Sequence, residues 1–474
     1  MNIRAAQKLA MAAAMIVALT GCMPAYRQAP PLSQVNVPAS WREANPGNAV
    51  IDAHWWRTFG DPTLSELVEA ALKRNTDVLA AVARVDEARA LAQVANAARM
   101  PALNAAVGAQ SGRTLGSTGV AITHSVQPEL QASWEVDLWG RLREQAQSAA
   151  LQFQATQVER DGVALAVAAA TAQSYVGLLA LDEQLRITKA TAASRAEALR
   201  LATDQARLGY TSQLQLTQAE SEHETVLQAI PQLELAIQRQ ENALRLLVGE
   251  TPGDVIRSRS FPALQVPPIA SSLPSDLLSR RPDIVQRGLV LAASDANLAS
   301  RRAAFLPQVA LSAKLGSLFI NGLDYDPISV WGLGGSILAP IFSAGRLTAQ
   351  MDAAAAQRDQ AAYAYRNAVL TAFSEVENAL SGVSRLQAQM EHSKKRRDIL
   401  ARTLEFAHDR YQAGYASYLE ELDAQRSLYQ VELDAITLRQ SQLNNLIALY
   451  RALGGGWAAR TLQSESIHVR ADRQ

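Results

Sequence analysis

Two segments of the chain alternate between apolar and polar residues with the period of two that predicts β-strands. In the first segment, residues 103–110 and 126–138 form two strands around a Gly/Ser/Thr-rich loop at about 111–125. The second strand turns Val126, Pro128, Leu130, Ala132, Trp134, Val136 and Leu138 to one face, and Gln127, Glu129, Gln131, Ser133, Glu135 and Asp137 to the other. The second segment repeats this pattern over 308–315 and 331–341, around a loop at 316–330.

Strands of about ten residues with one apolar face have the length needed for a tilted crossing of a lipid bilayer. In a membrane barrel the apolar face contacts lipid and the polar face lines an aqueous lumen, whereas in a soluble sandwich the polar face meets bulk water. Trp134, Trp139 and Trp331 lie near strand ends, where interfacial aromatic residues are expected. The pattern favours a barrel and leaves soluble hairpins as the alternative.

Helical periodicity covers most of the remaining sequence. A first helix is predicted from Thr63 to about Ala98, and residues 141–205 contain no proline, so they would span roughly 100 Å as one helix. The helix that follows has the apolar spacing of a coiled coil, with a kink expected at Pro231. Its seam is Leu216, Ala219, Val226, Ile230, Leu233, Ile237, Leu244 and Leu247, and Leu428, Val431, Ala435 and Leu438 repeat it later. Paired helices of this length predict a tunnel across the periplasm.

The chain contains the same unit twice. Landmarks recur about 205 residues apart, namely Gly140-Arg141 and Gly345-Arg346, Gly209-Tyr210 and Gly414-Tyr415, Ala219 and Ala424, and Gly249 and Gly454. Each unit is predicted as strand, strand, long helix, long helix. We divide the chain into a signal peptide (1–21), a proline-rich tether (22–50), a first repeat (51–249), a linker (250–275), a second repeat (276–454) and a C-terminal tail (455–474).

The predicted fold is therefore a mixed α/β membrane protein that needs several copies. Four strands per chain are too few to close a barrel without free edges, and three chains would supply twelve strands. Lys plus Arg and Asp plus Glu both number 45, so no net charge attracts the protein to nucleic acid. The 48% hydrophobic content is enough for extensive cores.

The N-terminus has the features of a secretory signal. Arg4 and Lys8 precede a short apolar segment, Leu9 to Leu19, which is too short to span a membrane. Leu19-Thr20-Gly21-Cys22 then resembles the lipobox of bacterial lipoproteins, in which the cysteine is acylated after cleavage; the alternative is an ordinary signal peptide with a chance cysteine. Cys22 is the only cysteine of the chain, so no intramolecular disulfide is possible.

Several long motifs resemble the TolC-like outer-membrane factors, in the lipoprotein branch that serves tripartite efflux pumps of the RND type. The motifs are Trp55-Trp56-Arg57-Thr58-Phe59-Gly60-Asp61-Pro62, Trp134-Glu135-Val136-Asp137-Leu138-Trp139-Gly140-Arg141, Leu273-Pro274-Ser275-Asp276-Leu277-Leu278-Ser279-Arg280-Arg281-Pro282-Asp283-Ile284, Tyr411-Gln412-Ala413-Gly414, Leu422-Asp423-Ala424-Gln425-Arg426-Ser427 and Ala452-Leu453-Gly454-Gly455-Gly456-Trp457. They occur in the family's order across nearly the whole mature chain. One departure is Arg287-Gly288, where the family usually has Ala-Glu, and it affects only a local helix contact.

The resemblance implies a homotrimer with a twelve-stranded outer-membrane β-barrel that continues into a periplasmic α-helical barrel. It implies a passive duct whose partners are a periplasmic adaptor and an inner-membrane RND-type transporter. The turns at 209–212 and 414–417 end the paired helices, and glycine permits the backbone of a tight turn there. In the family such tips meet the adaptor, so the docking candidates are Gly209, Tyr210, Thr211, Ser212, Gly414, Tyr415, Ala416 and Ser417; plain helix caps are the alternative.

The resemblance also indicates gate residues beside the second turn. Asp423 matches the position that lines the narrowest ring, and Leu419 lies one helical turn away as an apolar constriction. Glu420 either shares that face or lies on a solvated one, and the family varies at this position. Tyr411 is expected to hold neighbouring helices together, although the partner position near Gln215 lacks the acid that some relatives use.

No motif predicts catalysis, a metal site or a cofactor. The six histidines are scattered without ligand spacing, and no glycine-rich loop could cradle phosphate. The leading hypothesis is a lipid-anchored outer-membrane exit duct for small toxic compounds or drugs, not an enzyme. The alternatives are the same duct in an ATP-driven protein or peptide secretion system and, more distantly, a periplasmic coiled-coil scaffold.

Overall fold

The structure is a computed structural model that describes residues 30, 34–43, 51–116, 119–269, 273–321 and 327–457. The predicted signal peptide, Cys22, most of the tether and the tail beyond 457 lie outside the described residues. The helices are α1 (Pro62–Arg74), α2 (Thr76–Ala97), α3 (Arg141–Arg207), α4 (Gln213–Leu247), α5 (Leu277–Arg280), α6 (Pro282–Ala303), α7 (Arg346–Gln412) and α8 (Tyr418–Ala452). The strands are β1 (Ala102–Gly116), β2 (Gly119–Val136), β3 (Gln308–Ile320) and β4 (Ile328–Leu338).

The predicted first helix is two helices that meet at Asn75. The Asn75 side chain accepts hydrogen bonds from the backbone N–H of Asp77 at 2.9 Å and of Val78 at 3.3 Å, so it caps the start of α2. Asp61 caps α1 in the same way by accepting from the Leu64 N–H. The prediction of one continuous helix from Thr63 to Ala98 is wrong because apolar periodicity continues across this cap.

The chain folds into two compact units. The strand unit contains residues 83–157 and 286–367, and its four strands form one antiparallel sheet in the order β1-β2-β3-β4. The predicted loop at 111–125 is wrong, since β1 and β2 stay paired as far as Gly116 and Gly119. The predicted loop at 316–330 is also too long, and the strand ends at 138 and 341 lie beyond the observed ends at 136 and 338. Gly, Ser and Thr are typical of loops locally, but here their backbone groups pair across the hairpin.

One face of this sheet is apolar and exposed. Ala105, Leu130, Leu315 and Trp331 are direct register partners and form one row across all four strands. Leu130, Leu315 and Trp331 are 48%, 60% and 72% exposed. The polar set of β2 lies on the opposite face, where Gln127 and Gln131 both donate to Glu129. The predicted alternation of β2 is therefore confirmed.

Hydrogen bonds join the strands to the segments that lead into and out of them within the strand unit. The Trp134 indole N–H donates to the Arg99 carbonyl at 2.9 Å, and the Trp139 indole N–H donates to the Pro307 carbonyl at 2.7 Å. Helix α6 is joined to α3 because the Ser300 hydroxyl donates to the Arg141 carbonyl at 2.9 Å. These bonds fix the chain where strands and helices meet.

The helical unit contains residues 36–82, 158–285 and 368–457. Every residue of the predicted α4 seam is buried or half-buried, which confirms the coiled-coil pattern, and α4 continues through Pro231. Helix α3 is the one described helix that is long and apolar enough to cross a membrane, but 61% of its most apolar window is buried, as in a core helix. The predicted linker packs on this unit: Phe261 and Leu264 are buried, and Arg257 forms ion pairs with Asp182 and Glu241.

Candidate functional site

Two turns join the long helices of the helical unit, one from α3 to α4 and one from α7 to α8. Gly209 and Gly414 follow the preceding helices with φ of +77° and +78°. In both turns the next N–H, of Tyr210 or Tyr415, donates at 2.8 Å to the carbonyl five residues earlier. This geometry is a Schellman cap, so both glycines are helix caps. The side chains of Tyr210 and Tyr415 are 82% and 81% exposed at the tips.

The residues that follow these glycines begin the next helices. Ser212 is the N-cap of α4, and its hydroxyl accepts from the Gln215 N–H at 3.3 Å. The Thr211 hydroxyl donates to the Gln215 side chain. Ser417 has the N-cap position of α8 without a side-chain capping bond, and Ala416 is half-buried beside it. Each tip is therefore a helix-to-helix turn held by local bonds, and its docking role stays a prediction.

The gate candidates on α8 fall into two groups. Leu419 is 47% exposed and the Asp423 side chain is 64% exposed, and their spacing of four residues places them on one helix face. Glu420 instead lies 3.8 Å from the Arg410 guanidinium of its own hairpin. The described chain therefore leaves Leu419 and Asp423 on one open face, and each of the two carboxylates lies near an arginine, Arg426 beside Asp423 and Arg410 beside Glu420.

Tyr411 connects the two hairpins. Its hydroxyl donates to the Gln205 side-chain oxygen at 3.2 Å, and its ring lies 5.7 Å from the Tyr418 ring. The partner is thus Gln205 at the end of α3 rather than Gln215, which bonds to Thr211 within its own turn. Burial, and secondly the charge of Glu421, raise the pKa of Tyr411, so the phenol stays protonated and able to donate.

A buried ionic cluster next to the gate was not predicted from the sequence. Glu222 of α4 accepts from Arg195 of α3 and from Arg426 of α8, the Arg426 Nε contact being 3.0 Å. Arg195 and Glu222 are only 5% and 8% exposed. Arg426 also lies 3.6 Å from Asp423, so the cluster connects both hairpins to the gate candidate. We call Arg195, Glu222 and Arg426 the Glu222 clamp.

The pKa of the Glu222 carboxyl is lowered by its partners. The hydrogen bond from Arg426, aided by Arg195, holds the pKa of Glu222 below its usual value, although burial opposes this. The carboxylate therefore remains ionised between its two guanidinium partners. The Glu222 clamp could not be recognised from the sequence, because Arg195 and Arg426 lie 27 and 204 residues from Glu222 along the chain.

A second polar chain lies beside Tyr411. The Gln412 amide nitrogen lies 2.7 Å from His408 Nε2, and His408 Nδ1 lies 2.9 Å from the buried Glu421 carboxylate. Gln425 also donates to Glu421, at 3.2 Å. These contacts join α7 to α8 beside the second turn.

These groups are suited to holding helices together and to interacting with ions. Among the described residues, no group of three or more His, Cys, Asp or Glu side chains is placed to hold a metal ion. The site instead combines an exposed carboxylate, an exposed leucine, a tyrosine bond between hairpins and a buried clamp. Such a set can attract cations and can keep two helical hairpins in contact.

Comparisons with known proteins give a consistent assignment. The sequence profile described as "Outer membrane efflux protein" matches residues 67–250 and 273–455. The pyoverdine export outer membrane protein OpmQ of Pseudomonas aeruginosa is 35% identical over 441 residues, covering 90% of this chain and 93% of OpmQ. The probable outer membrane lipoprotein SilC of Salmonella typhimurium is 32% identical over 458 residues, covering 93% of this chain and 97% of SilC.

A solved structure has the same fold. CusC, studied for the conformational changes that accompany folding and transmembrane channel formation, matches with a TM-score of 0.81 and 30% identity. The match covers 92% of this chain and 100% of the CusC chain. The likeness therefore extends over both the strand unit and the helical unit, each of which lies largely within the matched length.

Proposed function

Because this chain belongs to the outer membrane efflux protein family, we propose that three copies form one passive exit duct for small toxic compounds or drugs. The protein is an outer-membrane efflux protein, and its family is one of channels rather than enzymes. The relative OpmQ exports pyoverdine, which supports a small-molecule cargo. In this duct the three copies would form a twelve-stranded barrel in the outer membrane and a helical barrel in the periplasm.

The observation that carries this proposal is the exposed apolar face of the four-stranded sheet. Leu130, Leu315 and Trp331 lie side by side on it. A row of exposed large apolar side chains is unfavourable in water and favourable against lipid. Strands β1 and β4 are the outer strands of the sheet, so their free edges need partners. Two further copies would supply those partners and close the barrel.

The sequence is the basis for the proposed lipid anchor and for the two proposed repeats. Acylation of Cys22 would hold the mature N-terminus in the outer membrane, and the name of SilC as a probable lipoprotein supports this. Residues 51–249 and 276–454 are proposed as the two repeats, since the order strand, strand, long helix, long helix occurs in each. The energy for transport would come from partners, which we propose to be a periplasmic adaptor and an inner-membrane RND-type transporter.

We place the gate of this duct on α8. Asp423 would form a ring of three carboxylates in the trimer, with Leu419 as an apolar ring one turn away. Tyr411 would keep α7 against α3, and the Glu222 clamp would keep α8 against α3 and α4, so that both rings are held narrow. Opening then requires the two hairpins to separate.

Replacing Asp423 with asparagine is expected to reduce the preference of the channel for cations. A unit charge 4 Å away in water is worth about 1 kcal/mol, so the cation-to-anion permeability ratio should fall about fivefold. Reversal potentials in planar bilayers under a salt gradient measure this ratio. Glu420→Gln is the matched control, because Glu420 is an exposed carboxylate of the same helix that also has an arginine nearby, Arg410 at 3.8 Å, as Asp423 has Arg426 at 3.6 Å. An unchanged ratio in Asp423→Asn would contradict the proposed gate, and a fall only in Glu420→Gln would transfer the role to that residue.

The partners are tested by cross-linking a tagged chain in its native cell and identifying the proteins recovered with it. We expect a periplasmic adaptor and a proton-driven exporter. The double substitution of Tyr210 and Tyr415 by serine should lower this recovery, since both side chains are exposed at the tips, while outer-membrane abundance stays constant. Recovery of an ATP-driven secretion transporter would instead favour the protein or peptide export system. Unchanged recovery by the double variant would argue against docking through these tyrosines.

A further inference from the structure

The helical unit contains a cavity next to the turn that joins α7 and α8. Its volume is about 660 Å³, and it lies between α3 on one side and α7 and α8 on the other. The apolar part of its wall includes Leu201, Leu404 and the rings of Tyr411 and Tyr418. Binding sites for drug-sized molecules have volumes of roughly 300–1,000 Å³ and mostly apolar walls with a few polar groups. The cavity therefore has the size and lining of a small-molecule site.

The charge of the wall is negative. Glu197, Glu405 and Glu421 line the cavity, and the described lining residues include no lysine or arginine. Glu421 is buried, and Glu405 forms no ion pair with any described residue. His408 also lines the cavity, and its Nδ1 lies 2.9 Å from the Glu421 carboxylate. Glu197, at the exposed side, pairs with Arg200 at 2.6 Å.

A smaller cavity of about 310 Å³ shares Ser194, Leu404 and Gln425 with the first. Arg195 lines only this second cavity, where its guanidinium is bound to Glu222. Positive charge is therefore confined to the part farther from the turn, and the first cavity keeps its negative wall. Burial raises the pKa of Tyr411 and Tyr418, and the charge of Glu421 raises both further. The charge of Glu421 therefore acts on both phenols of the cavity wall.

We propose that the 660 Å³ cavity binds a small organic cation, with an ammonium or guanidinium group on an apolar or aromatic body. Carboxylates attract the charged group, and tyrosine faces attract cations through the ring quadrupole. The leucines accept the apolar body. The volume is far larger than one lysine or arginine side chain, so it favours a free compound over a single side chain of a partner protein. The site belongs to one chain, so the inference goes beyond the duct function and does not require it.

Occupation of this site bears on the contact between the hairpins. Tyr411 lines the cavity and donates to Gln205 of α3, so a bound cation would contact a residue that joins α3 to α7. A ligand that binds only when the hairpins are together stabilises that arrangement by mass action. Organic cations would thus favour the closed contact between hairpins.

The test is binding of benzyltrimethylammonium to the purified full-length protein in nonionic detergent, measured by isothermal titration calorimetry. Benzyl alcohol and benzenesulfonate serve as the neutral and anionic comparisons. We expect saturable binding of the cation alone. Glu421→Gln should weaken it about tenfold, because a contact to a charged group is worth about 1.5–3 kcal/mol and 1.4 kcal/mol is tenfold. The glutamine oxygen can still accept the His408 proton.

Two further variants keep the result interpretable. Glu405→Gln changes an exposed residue of the cavity wall, so it should weaken binding without affecting folding. Asp434→Asn removes an exposed carboxylate of the same helix that does not line the cavity, so binding should be unchanged. Equal binding of benzyl alcohol would reduce the site to an apolar cavity and overturn the proposal. Loss of binding only in Asp434→Asn would also overturn it, as would a calorimetric response to a lysine-rich peptide but not to benzyltrimethylammonium.

Discussion

Replacing Glu222 with glutamine is expected to open the periplasmic end of the channel. The carboxylate lies between Arg195 and Arg426, and the substitution leaves the Arg195 guanidinium, only 5% exposed, without an ionic partner. Breaking a buried ion pair by removing one partner costs about 3–5 kcal/mol. The loss falls on the contact of α8 with α3 and α4, because Arg426 of α8 loses its ion pair with Glu222 of α4.

The measurement is single-channel conductance of the purified protein in lipid bilayers, together with sensitivity of the cells to a large hydrophilic antibiotic. Both should increase in Glu222→Gln. Glu234→Gln is the matched control, because Glu234 is also on α4 and also pairs with α3, through Lys189 at 2.9 Å, but both side chains are about half exposed. Exposed pairs are worth about 0–1 kcal/mol, so this control should behave like the wild type.

Two outcomes separate the clamp from a general effect on folding. An apolar double variant, Glu222→Leu with Arg195→Met, removes the buried charges together and should recover much of the stability that Glu222→Gln loses. If Glu222→Gln keeps the wild-type conductance while the protein remains folded, the clamp does not hold the gate. If the apolar double variant is as closed as the wild type, although it lacks the contact between Glu222 and Arg426, the ionic contact is not what restrains α8.

Replacing Gly454 with alanine is expected to prevent normal folding of the helical unit. Gly454 has φ of +91°, and an added Cβ would lie 2.1 Å from the Arg280 carbonyl oxygen. The backbone cannot yield easily there, because the next residue, Arg281, is buried and bonded to Glu375 and to the Ala452 carbonyl. Strain at positive φ costs about 1 kcal/mol, and forcing extra atoms into a packed site adds about 1–3 kcal/mol.

The measurements are abundance of the folded protein in the outer membrane and the thermal unfolding midpoint of the purified protein. Gly414→Ala is the matched control, since Gly414 has φ of +78° but nothing lies within 4 Å of its added Cβ. The Gly414→Ala control should lose only the stability that positive φ costs an alanine, and the protein should remain abundant in the outer membrane. Equal loss in both variants would mean that backbone strain, rather than the contact with Arg280, determines the effect. Normal abundance of Gly454→Ala would contradict the prediction outright.

The same contact occurs in both halves of the chain. Gly249 has φ of +75°, and its added Cβ would lie 2.4 Å from the Arg74 carbonyl. Gly249 and Gly454 were recognised from the sequence only as landmarks of the duplication. The structure gives the physical reason for glycine at both positions, which is a backbone carbonyl from another part of the helical unit lying against the helix end.

The sequence by itself determined the elements whose signals are local. The alternation of residues 126–136, the seam of α4 and the turns at Gly209 and Gly414 were correctly located, because periodicity and helix caps depend on neighbouring residues. The lengths of the hairpin loops were not, since strands continue for as long as a partner strand offers backbone groups.

Only the tertiary structure decided which side chains meet. Tyr411 bonds to Gln205, 206 residues away, and Arg426 bonds to Glu222, 204 residues away. The break at Asn75 likewise became visible only when its side chain was seen to cap α2. Periodicity places a residue on a helix face, but the partner on another helix depends on how the helices pack, and no local pattern of the chain encodes that choice.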